Sequence, residues 1–152
     1  MKILLNILLI ILFLGYSKNE EMISLKCMVE ITDYRGEGAY FSISIIDDKD
    51  LYLKIVYVLG TDKTWFSEMK SFWKHLKIND LYLDDEFYPL IEGISGPTIS
   101  GGETRILQLK IPKLLYNKTN RLRFETAVED KGYYTDDINV ELNNESLSKS
   151  YQ

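Results

Sequence analysis

Residues 93–102, GISGPTISGG, set the hydroxyl of Thr98 in a run of glycines and serines broken once by Pro97. Three readings fit such a segment. It can be a backbone nest for an anion, a site of covalent modification on the Thr98 oxygen, or a long connection between two strands with no chemistry of its own. Reactive side chains elsewhere are sparse. His75, the single histidine, falls on the polar side of an amphipathic stretch with no second ligand or nucleophile beside it, which reads as solvated surface. Cys27, the single cysteine, rules out an internal disulfide and sits among inward-facing apolar positions, so it reads as a small buried hydrophobe. Asp47–Asp50 (DDKD) lacks the glycine and the spaced donors of a calcium loop and reads as a hairpin turn. Asp84, Asp85 and Glu86 are adjacent and point in different directions, unlike a catalytic carboxylate pair. We therefore expect a non-enzymatic protein without catalytic residues, metal or cofactor.

The N-terminus fixes the expected compartment. Residues 1–17, MKILLNILLIILFLGYS, have one basic residue, an apolar block and small residues at Gly15 and Ser17, the layout of a secretory signal peptide. The apolar block is too short for the roughly twenty residues of a membrane span, and the mature chain is expected to begin near Lys18 with no further membrane segment. An exported chain without disulfides points to a bacterial periplasm or outer surface. Against 18 Lys and Arg stand 23 Asp and Glu, a net charge of −5 that grows more acidic once Lys2 leaves with the leader. The basic residues are scattered among acids, so binding to nucleic acid phosphates is not expected.

Most of the chain alternates with a period of two. ISLKCMVEI (23–31) turns Ile23, Leu25, Cys27, Val29 and Ile31 to one side, AYFSISII (39–46) turns Phe41, Ile43 and Ile45, and LYLKIVYVL (51–59) turns Leu51, Leu53 and Ile55. RILQLKI (105–111), ended by Pro112, LRFETAV (122–128) and TDDINVELN (135–143) repeat the pattern, with turn residues at Asn117–Asn120 and Asp130–Gly132. TWFSEMKSFWKHLK (64–77) changes period. Trp65, Phe66, Met69, Phe72, Trp73 and Leu76 form one helical stripe, with Asp62 or Thr64 as cap, and this helix should lie flat on the strands with both tryptophans packed. Residues 79–89 read as irregular and the last ten as frayed. The expected fold is mainly β: an immunoglobulin- or fibronectin-like antiparallel sandwich over residues 18–143 with one inserted amphipathic helix, and a polar tail at 144–152. In it GISGPTISGG is a long inter-strand loop, where Gly96 and Gly101 supply unusual backbone angles and Pro97 fixes a turn.

Five patches in order, KCMVEI, IVYVLG, FWKHL, SGPTISGG and ETAVEDKGYY, resemble a bacterial family of predicted periplasmic proteins of unknown function. That family is similar to the small immunoglobulin-like domain of flagellar hook-assembly (FlgD-like) proteins. Where the family has a Trp-Asp-Gly turn followed by Gly-Xaa-Tyr, this chain has LQLKIP and NKTNRLRF. With no nucleophile-base pair, metal cluster or phosphate loop in its sequence, the chain is expected to be an exported module that presents loops to a protein partner or envelope component. Separately, ISGPTIS resembles the short motif at which an exported flavin transferase links flavin mononucleotide to a threonine, with Thr98 at the acceptor position and Pro97 where alanine is usual. That second resemblance implies a flavin-bearing electron carrier or an accessory of an envelope redox or iron system.

Overall fold

A computed structural model describes residues 20–60, 62–79, 95–128, 132–133 and 137–151. The expected leader (1–17), the expected start at Lys18 and the acidic stretch containing Asp84, Asp85 and Glu86 lie outside these residues.

The alternating runs become strands β1 (Met22–Glu30), β2 (Ala39–Ile46), β3 (Tyr52–Leu59), β5 (Thr104–Pro112), β6 (Arg121–Val128) and β8 (Ile138–Glu141), joined by the short β4 (Ser95–Gly96) and β7 (Gly132–Tyr133). β1 and β5 form an antiparallel ribbon, and the rest form a six-stranded sheet ordered β4-β3-β2-β6-β7, with β8 also paired to β6. Every pairing is antiparallel except β3 with β4. The ribbon lies over the larger sheet and the two enclose one apolar core, in which Phe41, Ile43 and Ile45 of β2 meet Leu107, Leu109 and Ile111 of β5 and Leu122 and Val128 of β6. The protein is thus a mainly β sandwich, as the periodicity implies.

The turn at Asp47–Asp50 forms as expected: Asp47 Oδ1 accepts from the N–H groups of Lys49 and Leu51 at 2.8 and 2.9 Å, and Asp50 takes φ = 63°. The Asn117–Asn120 turn closes in the same way, with Asn117 Oδ1 accepting from Thr119 and Asn120 N–H.

Three expectations are corrected. β2 is buried along its whole length, not on one face, because a helical layer covers the side opposite the ribbon. Tyr40, Ile55, Val58 and Ala127 there form a second core with Phe66, Met69, Phe72 and Leu76. In β3 the inward set is wrong. Irregularities in the β2–β3 register shift its phase, so Leu51 and Leu53 are exposed, Val56 and Leu59 enter the sandwich core, and Ile55 faces the helical layer. The single helix is in fact two pieces, a 3₁₀ segment at Lys63–Glu68 and helix α1 at Lys70–Ile78, separated by Met69 at φ −84°, ψ 86°. Asp62 does cap the first piece, its Oδ1 accepting from Thr64 N–H at 2.9 Å.

The last ten residues are not simply frayed. Asn143 accepts from Ser146 N–H at 2.8 Å and starts the one-turn helix α2 (Asn144–Leu147), and Leu147 packs against the sandwich core.

Candidate functional site

The glycine loop sits at the end of the sandwich where β1 stops and β5 begins, packed beside residues 31–38. It is held by its backbone. β4 pairs with Val58 and Leu59, Gly60 N–H donates to Gly96 O at 2.6 Å, and Ala39 and Ile99 exchange hydrogen bonds at 2.7 and 3.2 Å. Arg105, at the start of β5, donates through its two terminal nitrogens to the carbonyls of Pro97 and Thr98, each at 2.8 Å. Glu103 completes the lock, accepting from Ser100 N–H at 3.1 Å and approaching Arg105 at 3.7 Å. Ile99 is fully buried while Pro97 and Ser100 on either side are exposed. Residues 95–102 of the segment that composition presents as flexible therefore form a surface loop with a fixed shape, while Gly93 and Ile94 lie outside the described residues.

Its glycines work differently from the expectation. The positive φ belongs to Gly102 (76°), whose N–H donates to Ile31 O at 3.0 Å. Gly101 is needed for close approach, since a Cβ there would fall 2.5 Å from the carbonyl oxygen of Tyr34, and a Cβ at Gly96 would fall 2.5 Å from the Tyr57 hydroxyl. Thr98 is half-buried and leans on Gly38, where an added Cβ would lie 2.5 Å from its Oγ1. The Thr98 hydroxyl thus packs directly against the Gly38 backbone, in space that any larger residue at 38 would contest.

A second cluster of functional groups lies between the six-stranded sheet and α1. Glu125, in the middle of β6 and 1% exposed, accepts at Oε1 from the N–H groups of Ser71 and Phe72 at 3.0 and 2.9 Å and at Oε2 from the Tyr52 hydroxyl. Met69, the residue preceding α1, offers no side-chain cap, so a carboxylate more than fifty positions away satisfies the orphan donors at the positive end of the helix. Burial raises the Glu125 pKa above that of a free carboxylate, against the hydrogen bonds from Tyr52 and Phe72 that lower it. Burial and the Glu125 charge together push the Tyr52 phenol far above its usual value.

His75 stacks on the Tyr52 ring, centroids 4.6 Å apart and planes 15° from parallel, and burial lowers its pKa. It is therefore half-buried and neutral, not the solvated residue expected. Arg123 reaches over Tyr52 with its guanidinium 5.9 Å from the ring and bonds Asp50 at 2.7 Å. Ser42 and Ser44, in register with Glu125 and Arg123, are fully buried, and their hydroxyls have no hydrogen-bond partner among the described residues. This polar layer escapes sequence reasoning because Glu125 occupies an outward-alternating position in LRFETAV. Only the helix laid over that face makes it interior.

Cys27 is half-buried, with its thiol pKa raised by burial, as its place in the alternation implies. Among the described residues no group of three or more His, Cys, Asp or Glu side chains is placed to hold a metal ion, and no helix is long and apolar enough to cross a membrane.

A strand ribbon over a six-stranded sheet, with a helical layer on the far face and a locked glycine loop at one end, is the arrangement carried by residues 22–152, and that span matches one family model, described as predicted periplasmic protein (DUF2271). The chain belongs to the DUF2271 family. The match covers all of the described strands, and by the description of its family the DUF2271 chain is periplasmic, the compartment expected from the N-terminal sequence. Comparison with curated proteins gives no match. Comparison with solved structures gives none either.

Proposed function

We propose that this DUF2271 protein is a non-enzymatic periplasmic binding module that presents its paired loops, residues 31–38 and 95–103, to a protein partner or an envelope component. The observation that carries the reading is the double clamp of Arg105 on the Pro97 and Thr98 carbonyls. It fixes a surface loop that leaves Pro97 and Ser100 exposed. A loop ordered before binding loses less entropy on association, which favours recognition at this end of the sandwich. The likeness of the family to the immunoglobulin-like domain of hook-assembly proteins belongs to the same proposal, since that domain too would act by binding rather than by catalysis.

A photo-crosslinking residue placed at Ser100 in living cells should give a discrete adduct of one mass. The same residue at Lys118, in the exposed turn at the opposite end of β5, should give none. No adduct at 100, or equal adducts at both positions, would rule the loop out as the binding surface.

The second reading, a flavin carried on Thr98, is favoured by one feature of the structure: Thr98 is only half-buried and lies on a surface loop beside exposed Pro97, although its Oγ1 packs closely on Gly38. In that reaction the Thr98 oxygen would displace the nucleotide leaving group at the flavin-bearing phosphate, with loss of the hydroxyl proton and formation of a phosphoester. Co-expression with an exported flavin transferase separates the readings. The binding module stays colourless at its own mass, and Thr98→Val folds and behaves as the parent does. A yellow protein heavier by one flavin mononucleotide less water, with both signals abolished by Thr98→Val, would replace the binding reading with the electron carrier.

A further inference from the structure

The β1–β5 ribbon has an open edge. Lys113 N–H donates to Glu21 O at 2.8 Å and Ile31 N–H to Glu103 O at 3.0 Å, so the odd-numbered residues of β1 turn their N–H and C=O groups toward β5. The pairing of Met22 with Pro112, which has no N–H to give, agrees with this register. The even residues Met22, Ser24, Lys26, Met28 and Glu30 therefore direct their backbone groups away from β5, and no described strand pairs with them. Natural edges are usually blunted by proline, bulges, shortness or charged side chains; β1 is a nine-residue strand with an unbroken register and no proline, and its charges are one of each sign, Lys26 and Glu30.

Side chains on both faces of this edge are incompletely covered. On the inner face Ile23, Leu25, Cys27, Val29 and Ile31 are each only half-buried, while Leu107, Leu109 and Ile111 of β5 beside them are buried. On the outer face Met28 and its cross-strand partner Ile106 are 69% and 74% exposed.

We propose that the open edge of β1 pairs antiparallel with β1 of a second copy of this chain, the two-fold axis passing through Met28, to give a continuous sheet β5-β1-β1-β5. The charges select this register. With residue 28 opposite itself, Lys26 of each copy faces Glu30 of the other, Met28 meets Met28 between the two Ile106 side chains, and on the inner face Leu25 faces Ile31 and Cys27 faces Val29. Shifting the axis to residue 26 sets two lysines directly against each other, and shifting it to residue 27 sets Lys26 against Met28. Directly opposed like charges destabilise a strand pair and opposed unlike charges stabilise it. The contact is isologous and closes at two copies. It covers the half-buried edge and meets the binding surface proposed above only where Ile31 begins the 31–38 loop, leaving residues 95–103 clear.

Sedimentation velocity on the protein purified from the periplasm should show a concentration-dependent species of twice the monomer mass. Met28→Pro removes one N–H from the open edge and none from the β1–β5 ladder, and should leave a folded monomer. Glu30→Lys should weaken the dimer about tenfold, and Lys26→Glu combined with Glu30→Lys should restore it. With Cys27→Val as background, Met28→Cys should form a disulfide-linked dimer under mild oxidation, since an opposed hydrogen-bonded pair lies within disulfide reach, while Lys26→Cys should not. A parent that stays monomeric at every concentration, a dimer indifferent to Met28→Pro and to the charge exchange, or cross-linking through the native Cys27 would each overturn the proposal.

Discussion

Glu125→Ala should lower the stability of the fold by about 3 to 5 kcal/mol, measured as the shift in a urea unfolding curve. It removes one acceptor shared by three donors, the Ser71 and Phe72 N–H groups and the Tyr52 hydroxyl, and a buried donor left unsatisfied costs about 1 to 3 kcal/mol. Glu125→Gln keeps an acceptor oxygen for the helix N-terminus and should stay within about 1 kcal/mol of the parent at neutral pH. The two also differ in their pH response. The folded-state pKa of Glu125 is raised from the model-compound value of 4.5, so the folded chain holds this proton more tightly than the unfolded one. The stability this contributes is complete below the unfolded pKa and is lost as pH rises through the folded one. Unfolding of the parent followed upward from about pH 4.5 should therefore show a loss of stability that is absent in Glu125→Gln. A parent and a Gln variant with parallel profiles would show that the pKa of Glu125 is not raised on folding.

Phe72→Ala should cost about 3 to 5 kcal/mol and Trp73→Ala roughly half as much. From the helical stripe alone Trp73 is expected to be a fully packed residue whose loss costs about 3 to 5 kcal/mol. In the structure Trp73 lies at the margin of the stripe: Phe66, Met69, Phe72 and Leu76 form the fully buried line, and Trp65 and Trp73 flank it. Phe72 is fully buried, edge-on to Phe66 with centroids 5.6 Å apart, whereas Trp73 is half-buried at the margin of the same core with the Lys77 ammonium 5.3 Å from its ring. His75→Ala, which a solvated histidine would tolerate, should instead lose about 1 kcal/mol with its stacking on Tyr52. Equal losses from Phe72→Ala and Trp73→Ala in thermal or urea unfolding would contradict the assigned helix face.

What could be read from the chain follows from how local each determinant is. The ribbon was legible because β1 and β5 each bury one face, so Ile23 to Ile31 and Leu107 to Ile111 announce themselves by alternation. β2 was half legible: Phe41, Ile43 and Ile45 point where expected, but Ser42 and Ser44 read as solvent-facing when they are covered by α1. The shift in β3 could not be read, because a register irregularity depends on the partner strand. Glu125 was hidden for the same reason, its partners lying on a helix and a strand remote in sequence. In the loop, composition revealed the glycines but assigned them the wrong work, since the close approach of Gly101 to Tyr34 depends on another loop. The Arg105 clamp left one local trace, an arginine at the start of a strand just after the loop it holds.

The position of β2 also sets the order in which the chain can fold. Its neighbours are β3, next in sequence, and β6, which pairs Phe124 with Ile43 across most of the chain. A periplasmic chain delivered from its N-terminal end presents β2 and β3 as a hairpin with Phe41, Ile43 and Ile45 bare on one face and one side of β2 unpaired until β6 emerges. Contacts of such long sequence separation form slowly, and an apolar strand waiting for its partner is open to pairing with other chains. The late-emerging segment Arg121–Val128 thus governs whether the exported protein completes its sheet or aggregates, and truncation before Arg121 should yield an aggregating product instead of a smaller domain.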